Sequence, residues 1–237
     1  MVWFLAIATM VVAEPVNLSK GTFIGAFTAN GQAITVTAPS GKRWVSSEQV
    51  QREVLFRGWK APLNSAQMAE MAKGLEADFA ADVLISITKV RRGYRLLAIL
   101  RCVSASLASI THLAQEQATL PSLDGLEQAV DKLAQVLIAK IPNQVPIAVV
   151  QLRESSGRFH LTATSGDWKR GMKLLFFSET KGQFNLLGEG QIVAANLLLG
   201  GSRWLIEADP IEIKAAIRSG DKAIQIFKLP REFARWQ

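Results

Sequence analysis

The segment Pro142–Pro146 constrains the fold of this chain more than any other, because its hydrophobic periodicity changes there. Upstream of it, apolar residues recur every three to four positions, as on the buried face of a helix. Downstream, that spacing does not return, and short apolar runs alternate with glycine turns. A chain of 237 residues is long enough for two ordinary domains. The sequence therefore predicts a first domain over 14–142 and a second over 147–230.

The first domain combines helical and strand signals. Thr22–Phe27 and Ala33–Thr37 read as two strands around the turn dipeptide Asn30-Gly31. Ser46 or Ser47 is placed to cap a helix that runs to about Arg57. The pattern is typical of an α/β domain.

A second helix and a long hairpin follow. Asn64 or Ser65 can cap a helix whose apolar stripe continues as far as Phe79. Val83–Val90 is rich in β-branched residues, which favours a central strand. Arg91-Arg92-Gly93 predicts a tight turn, and Tyr94–Ala105 is the expected partner strand.

The clearest helix of the chain is expected between Ser122, as its cap, and Ile141. Before it, residues 111–119 are ambiguous and could carry a further strand. The first domain is therefore expected to be an α/β sandwich-like unit with a mixed sheet and two to three helices.

The second domain is predicted to be all-β. Its glycines recur at the spacing expected of a small barrel or sandwich. The predicted strands are Ile147–Leu152, Arg158–Thr164, Met172–Phe177, Gly190–Ala195, Arg203–Ala208 and Lys222–Phe227. The fold class of the whole chain is thus predicted as α+β.

The first 13 residues read as a targeting segment. Trp3–Val12 is an almost unbroken apolar run, too short to span a bilayer as a helix. It ends in Val11-Val12-Ala13, as a signal-peptidase site does, but no Lys or Arg precedes it. A buried N-terminal strand or helix is the alternative. We expect a signal peptide over 1–13, an extracytoplasmic (periplasmic or secreted) mature protein, and no transmembrane segment in the mature chain.

The net charge of +7 is spread over both parts of the chain. Residues 14–145 carry 14 Lys/Arg against 11 Asp/Glu, and residues 146–237 carry 13 against 9. One local cluster stands out on the predicted hairpin: Lys89, Arg91, Arg92, Arg95 and Arg101. It could contact an anionic polymer or lipid head groups, or it could be a solvated hairpin tip. Nucleic acid is the poorer partner, because only Tyr94 is interleaved for base stacking.

No catalytic, cofactor-binding or metal site is predicted. The two histidines, His112 and His160, have no partners at metal-ligand spacing. No serine lies in a Gly-x-Ser-x-Gly elbow, and no phosphate-binding loop is present. Asp167, Glu189 and Asp221 all lie at glycine turns, where acidic residues are common for structural reasons.

Two stretches resemble known families. Ala81-Asp82-Val83 and the Gly93–Leu96 turn resemble the amino-terminal domain of TolB and of curli-secretion-channel proteins, over residues 64–141. Asp167–Met172, Leu187–Val193 and Ile217–Lys222 resemble the C-terminal domain of the flagellar assembly protein FlgT, over residues 147–228. Both resemblances imply structural motifs and supply no catalytic residues.

These resemblances imply a non-catalytic envelope protein that acts as an interaction or assembly module in flagellar, secretion or other envelope machinery. Its expected partner is an envelope protein. The alternatives are a binding module for an anionic envelope polymer and a regulator of cell-wall synthesis. A hydrolase is the third class, and it would require a cluster of polar groups in a pocket.

Overall fold

A computed structural model describes residues 16–17, 22–25, 27–29, 32–34, 43–60, 62–142, 144–180, 183–198, 201 and 203–237. The expected signal peptide lies outside these residues. Contacts between Cα atoms divide the chain into two units. The first holds Asn17–Val145 together with Ile226–Gln237, and the second holds Pro146–Gln225 and, of the described residues before it, Val16. The domain bounds 14–142 and 147–230 stay a prediction.

The first unit contains three helices and, among its described residues, eight whole strands and Asn17 of a ninth, β1. The helices are α1 (Ser47–Phe56), α2 (Ser65–Gly74) and α3 (Leu126–Ala139). The strands are β1 (Val16–Asn17), β2 (Thr22–Gly25), β3 (Phe27–Ala29), β4 (Gln32–Ile34), β5 (Arg43–Trp44), β6 (Phe79–Val90), β7 (Gly93–Ser104), β8 (Ile110–Leu120) and β9 (Gln144–Val145). The ambiguous segment 111–119 is thus a strand.

Local signals explain where two helices begin. Ser46 caps α1 and Asn64 caps α2, and each forms a capping box with the glutamine three residues later. Helix α2 ends at Gly74, earlier than the apolar stripe predicts, because the chain reverses at Glu76 with φ 55°. Phe79 therefore begins β6 instead of ending α2.

Helix α3 begins later than predicted. Its N-cap is Gly125, while the Ser122 hydroxyl bonds to the Asp124 carboxylate instead of capping the helix. Val130, Leu133 and Leu137, which the apolar periodicity predicts to form one seam, are buried, together with Ala134 and Ile138. Leu123, predicted to open the seam, precedes the helix and is exposed.

The sheet of the first unit is mixed. Strands β2 and β3 pair with β6 in parallel, whereas β6, β7 and β8 form an antiparallel meander. One face packs against α2, in a cluster that includes Met68, Met71, Leu84 and Ile99. Because side chains alternate along a strand, Val83 and Ile85 lie on the other face. Helix α3, which contacts β6, β7 and β8, covers that face.

The C-terminal segment completes the core of the first unit. Leu229 and Phe233, which is 1% exposed, belong to the same cluster as Met68 and Leu84. The 3₁₀ helix Arg231–Trp236 carries Phe233. Phe227 N donates to Ile110 O at 3.0 Å, and Ser65 N donates to Gln237 O at 3.1 Å. This segment is therefore a structural part of the α/β unit.

The second unit is a closed barrel of six strands. They are β10 (Ile147–Arg153), β11 (Phe159–Ala163), β12 (Lys173–Thr180), β13 (Gln183–Leu197), β14 (Trp204–Ile213) and β15 (Lys222–Ile226). Their order around the barrel is β10-β11-β14-β13-β12-β15. Phe159 and Phe176 pack in its interior, with ring centroids 5.1 Å apart. A Cβ at Gly190 would lie 2.7 Å from the Phe176 ring, so only glycine fits there. The predicted α+β class with a small barrel is confirmed.

Candidate anionic-partner interface

The predicted basic hairpin is formed by β6 and β7. Val90 pairs with Gly93, which leaves Arg91 and Arg92 as the two turn residues. Gly93 has φ 117°, and a Cβ at this position would lie 2.0 Å from Leu120 O. Only glycine combines that backbone conformation with the close approach of β8. The turn therefore requires glycine after Arg91 and Arg92.

Burial falls steadily along β6 toward this turn. Val83, Leu84 and Ile85 are buried, Ser86 and Ile87 are half-buried, and Thr88–Val90 is exposed. At a rise of about 3.3 Å per residue, Ser86–Val90 covers roughly 13 Å. The three residues of β6 before the turn are consequently open to solvent, whereas Leu96, opposite Ile87, is still buried.

Four of the five predicted cations lie at this end. Lys89, Arg91, Arg92 and Arg95 are all exposed. None of them forms an ion pair with any residue that the structure describes. We call these four residues the basic tip.

The cations of the basic tip lie on different sides of the hairpin. Lys89 pairs across the strands with Tyr94, whereas Arg95 pairs with Thr88 on one side and Thr119 on the other. Since adjacent residues of a strand point to opposite faces, Lys89 and Arg95 lie on opposite faces of the sheet. Arg91 and Arg92 occupy the turn between them. The positive charge thus surrounds the end of the hairpin.

Arg101, the fifth predicted cation, is not part of the basic tip. Its side chain is fully buried, eight residues along β7 from Gly93. Its Nε donates to Asp82 Oδ1 at 2.7 Å, and its Nη2 donates to Asp82 Oδ2 at 2.9 Å and to Leu63 O. Burial raises the pKa of Asp82, and the Arg101 charge opposes that rise. Arg101 is a structural residue of the core and cannot contact an external anion.

The sequence itself indicates that Asp82 and Arg101 lie opposite each other, although a search for clustered cations overlooks this. A two-residue turn at Arg91-Arg92 makes the numbers of opposite residues add to a constant, so Val90 faces Gly93 and Asp82 faces Arg101. Two opposite charges directly across a hairpin stabilise each other. Sequence analysis also did not single out Val90 and Leu123, two apolar residues that the structure leaves exposed.

Two of the acidic residues at glycine turns have structural partners. Asp167 pairs with Lys169 at 2.5 Å, and the Asp221 carboxylate accepts from Arg218 N at 2.6 Å. Within the described residues, no group of three or more His, Cys, Asp or Glu could hold a metal ion. In the same part of the chain, no helix has the length and apolar character needed to cross a membrane.

Comparisons with known proteins give weak similarities. No protein-family profile matches the chain, and no curated protein matches it. Among solved structures, the LpoB C-terminal domain from Salmonella enterica aligns with a TM-score of 0.34 at 8% identity, covering 46% of this chain and 88% of that one. TolB from Acinetobacter baumannii aligns with a TM-score of 0.28 at 10% identity, covering 86% and 63% respectively.

The resemblance of residues 64–141 to the amino-terminal domain of TolB and to curli-secretion-channel proteins rests on the sequence motifs alone. TM-scores of 0.34 and 0.28 are too low for either alignment to assign a function. Neither structure is a flagellar assembly protein, and the FlgT resemblance of residues 147–228 stays a prediction.

Proposed function

We propose that this chain is a non-catalytic exported protein of the cell envelope, an interaction or assembly module that binds an anionic partner through its basic tip. The observation that carries the proposal is the placement of Lys89, Arg91, Arg92 and Arg95. All four are exposed at the end of one hairpin and lack ion-pair partners among the described residues.

The free charge of the basic tip supports binding more than stability. A cation that contributes to the fold is held by a carboxylate, as Arg101 is by Asp82 and Arg158 is by Asp209 at 2.8 Å. The four cations of the tip instead repel one another at short range, which costs free energy in the isolated protein. An anionic partner removes that repulsion, so the cluster favours association with negative charge.

Retention on an immobilised polyanion tests this proposal. The full chain is loaded on heparin and eluted with salt, beside a variant with Lys89, Arg91, Arg92 and Arg95 replaced by Gln. The matched control replaces four other exposed cations, Lys73, Lys132, Arg170 and Lys228, by Gln. Both changes lower the formal charge from +7 to +3.

We expect the tip variant to elute at much lower salt than the control. The variant lacks the salt-sensitive contacts between the four clustered cations and heparin. Equal elution of the two variants would show that net charge alone drives retention, and would overturn the basic tip as a site. N-terminal sequencing of the protein from its native cell tests export separately: a mature chain beginning at Glu14 is expected, and intact Met1 on a cytoplasmic protein would contradict it.

A further inference from the structure

We infer that the partner of the basic tip is the surface of an anionic lipid bilayer, approached end-on by the β6–β7 hairpin. This inference rests on the proposed function. It adds the chemistry of the partner and two contact residues, Val90 and Leu123.

Exposed apolar side chains lie beside the cations. Val90, next to the turn, is 38% exposed, and Leu123 is 48% exposed. Leu123 lies in the connection between β8 and α3, which leaves the sheet where Leu120 pairs with Tyr94. Both apolar residues are therefore at the end of the sheet that carries the basic tip.

This combination of side chains matches the chemistry of a bilayer interface. Lys and Arg bind anionic head groups, while apolar side chains enter the boundary between head groups and acyl chains. Tyr94, half-buried beside Lys89, has the amphipathic ring that is enriched at this depth. A soluble polyanion offers no apolar phase, so contact with it leaves Val90 and Leu123 in water.

The distribution of the cations points the same way. A linear polymer that lies along one face of the sheet contacts either Lys89 or Arg95, because these residues are on opposite faces. A flat surface that meets the hairpin end-on is within reach of both faces and of the two turn arginines. The acidic residues that follow Leu120 most closely in the chain, Asp124 and Glu127, are outnumbered by the four cations.

Vesicle co-sedimentation tests the inference with the full chain. We expect binding to vesicles of phosphatidylcholine mixed with phosphatidylglycerol, and none to pure phosphatidylcholine. Each basic residue near an anionic surface contributes roughly fivefold to partitioning. R91Q/R92Q should therefore weaken vesicle binding about 25-fold, whereas the control R170Q/K228Q should change it little.

Insertion is tested by V90S/L123S and by a fluorophore. V90S/L123S should lose vesicle binding while keeping its retention on heparin. Cys102 is buried, so a cysteine introduced at Val90 can be labelled selectively with an environment-sensitive dye. Its emission should shift to the blue on anionic vesicles. The same dye at Ser106, exposed in the turn at the other end of β7, should not shift.

The outcomes separate this inference from the proposed function. Tip-dependent retention on heparin without vesicle binding would overturn the bilayer inference and leave the proposed function standing. Vesicle binding that is unchanged in R91Q/R92Q and V90S/L123S would also overturn it. If heparin retention does not depend on the basic tip and the full chain does not bind vesicles, both the bilayer inference and the proposed function are overturned.

Discussion

Asp82 and Arg101 lie directly opposite each other on β6 and β7, and their side chains form a buried pair with Nε–Oδ1 and Nη2–Oδ2 distances of 2.7 and 2.9 Å. Arg101 also donates to the carbonyl oxygen of Leu63, just before α2. The pair thereby ties the central hairpin to the backbone at the start of a helix. The pair neutralises two charges inside the sheet. Arg101 is therefore not available at the surface.

Removing one partner of this pair should destabilise the protein strongly. Asp82→Asn or Arg101→Met leaves the other group buried without its counter-ion, at a cost of about 3–5 kcal/mol. The double variant should lose less than the sum of the two single losses. Urea unfolding measures all three, with Arg92→Ala as a surface control expected to change stability by less than about 0.5 kcal/mol. Strict additivity would contradict direct coupling.

Helix α3 should contribute through its buried seam. Leu133 is 8% exposed on the side of α3 that faces the sheet, so Leu133→Ala should cost about 2–5 kcal/mol. The adjacent Lys132 is exposed, and Lys132→Ala should cost well under about 1 kcal/mol. Denaturant titration checks the contrast. A neutral Leu133→Ala would mean that α3 presents this face to a partner instead of to the core.

The C-terminal segment should be required by the α/β unit. Phe233 is 1% exposed within the core of that unit, and Phe233→Ala should cost about 3–5 kcal/mol. A chain ending at Gln225 should show faster amide exchange in β6 and β7, because Leu229 and Phe233 no longer cover the sheet. Exchange in the barrel strand β11 serves as the internal reference. Unchanged protection of β6 and β7 would show that the segment is dispensable.

Acid should destabilise the protein through His112. Its ring packs edge-on against Phe227, with centroids 6.4 Å apart, and its Nε2 is buried without a partner among the described residues. Burial lowers the pKa of His112 from about 6.5, and a hydrogen bond to the Lys140 backbone opposes this. The unfolded chain therefore binds the proton more readily. Stability from neutral His112 is complete above about pH 6.5 and is lost as the pH falls toward the folded pKa.

Urea unfolding at pH 7.5 and 5.5 measures this effect in the parent chain, in His112→Gln and in His160→Gln. The His112→Gln variant should lose less stability on acidification than the parent. His160 lies on the outer face of the barrel and bonds to Glu154 at 2.6 Å, so His160→Gln should keep the loss that His112 causes. Equal pH dependence in the parent and in His112→Gln would contradict the assignment.

Several elements were predictable because their signals are local. The capping boxes of Ser46 with Gln49 and Asn64 with Gln67 form within four residues of chain. The apolar seam of α3 and the six barrel strands also follow from periodicity and glycine turns. Helix α2 shows the limit of such signals: Phe79 fits the helical stripe, yet the backbone reversal at Glu76 places it in β6.

The sequence by itself determined the change of architecture near Pro142–Pro146, the turn at Arg91-Arg92-Gly93, and the presence of cations around that turn. Each depends on residues that are close together along the chain, where sterics and hydrogen bonds act without tertiary context. The register of the hairpin places Arg101 opposite Asp82, but only the tertiary structure decided that this pair is buried. Arg101 is buried because β6, β7 and the residues before α2 meet around it, from positions up to 38 residues away.

The same reason explains the C-terminal segment. Nothing in the pattern of Ile226–Gln237 distinguishes it from a barrel strand with a polar end. Its place in the core depends on contacts with Ser65 and Ile110, more than 100 residues earlier in the chain. The hydrophobic effect drives such long-range packing, but it is not directional and does not specify which distant residues meet. The contacts of this segment are therefore known only from the folded chain.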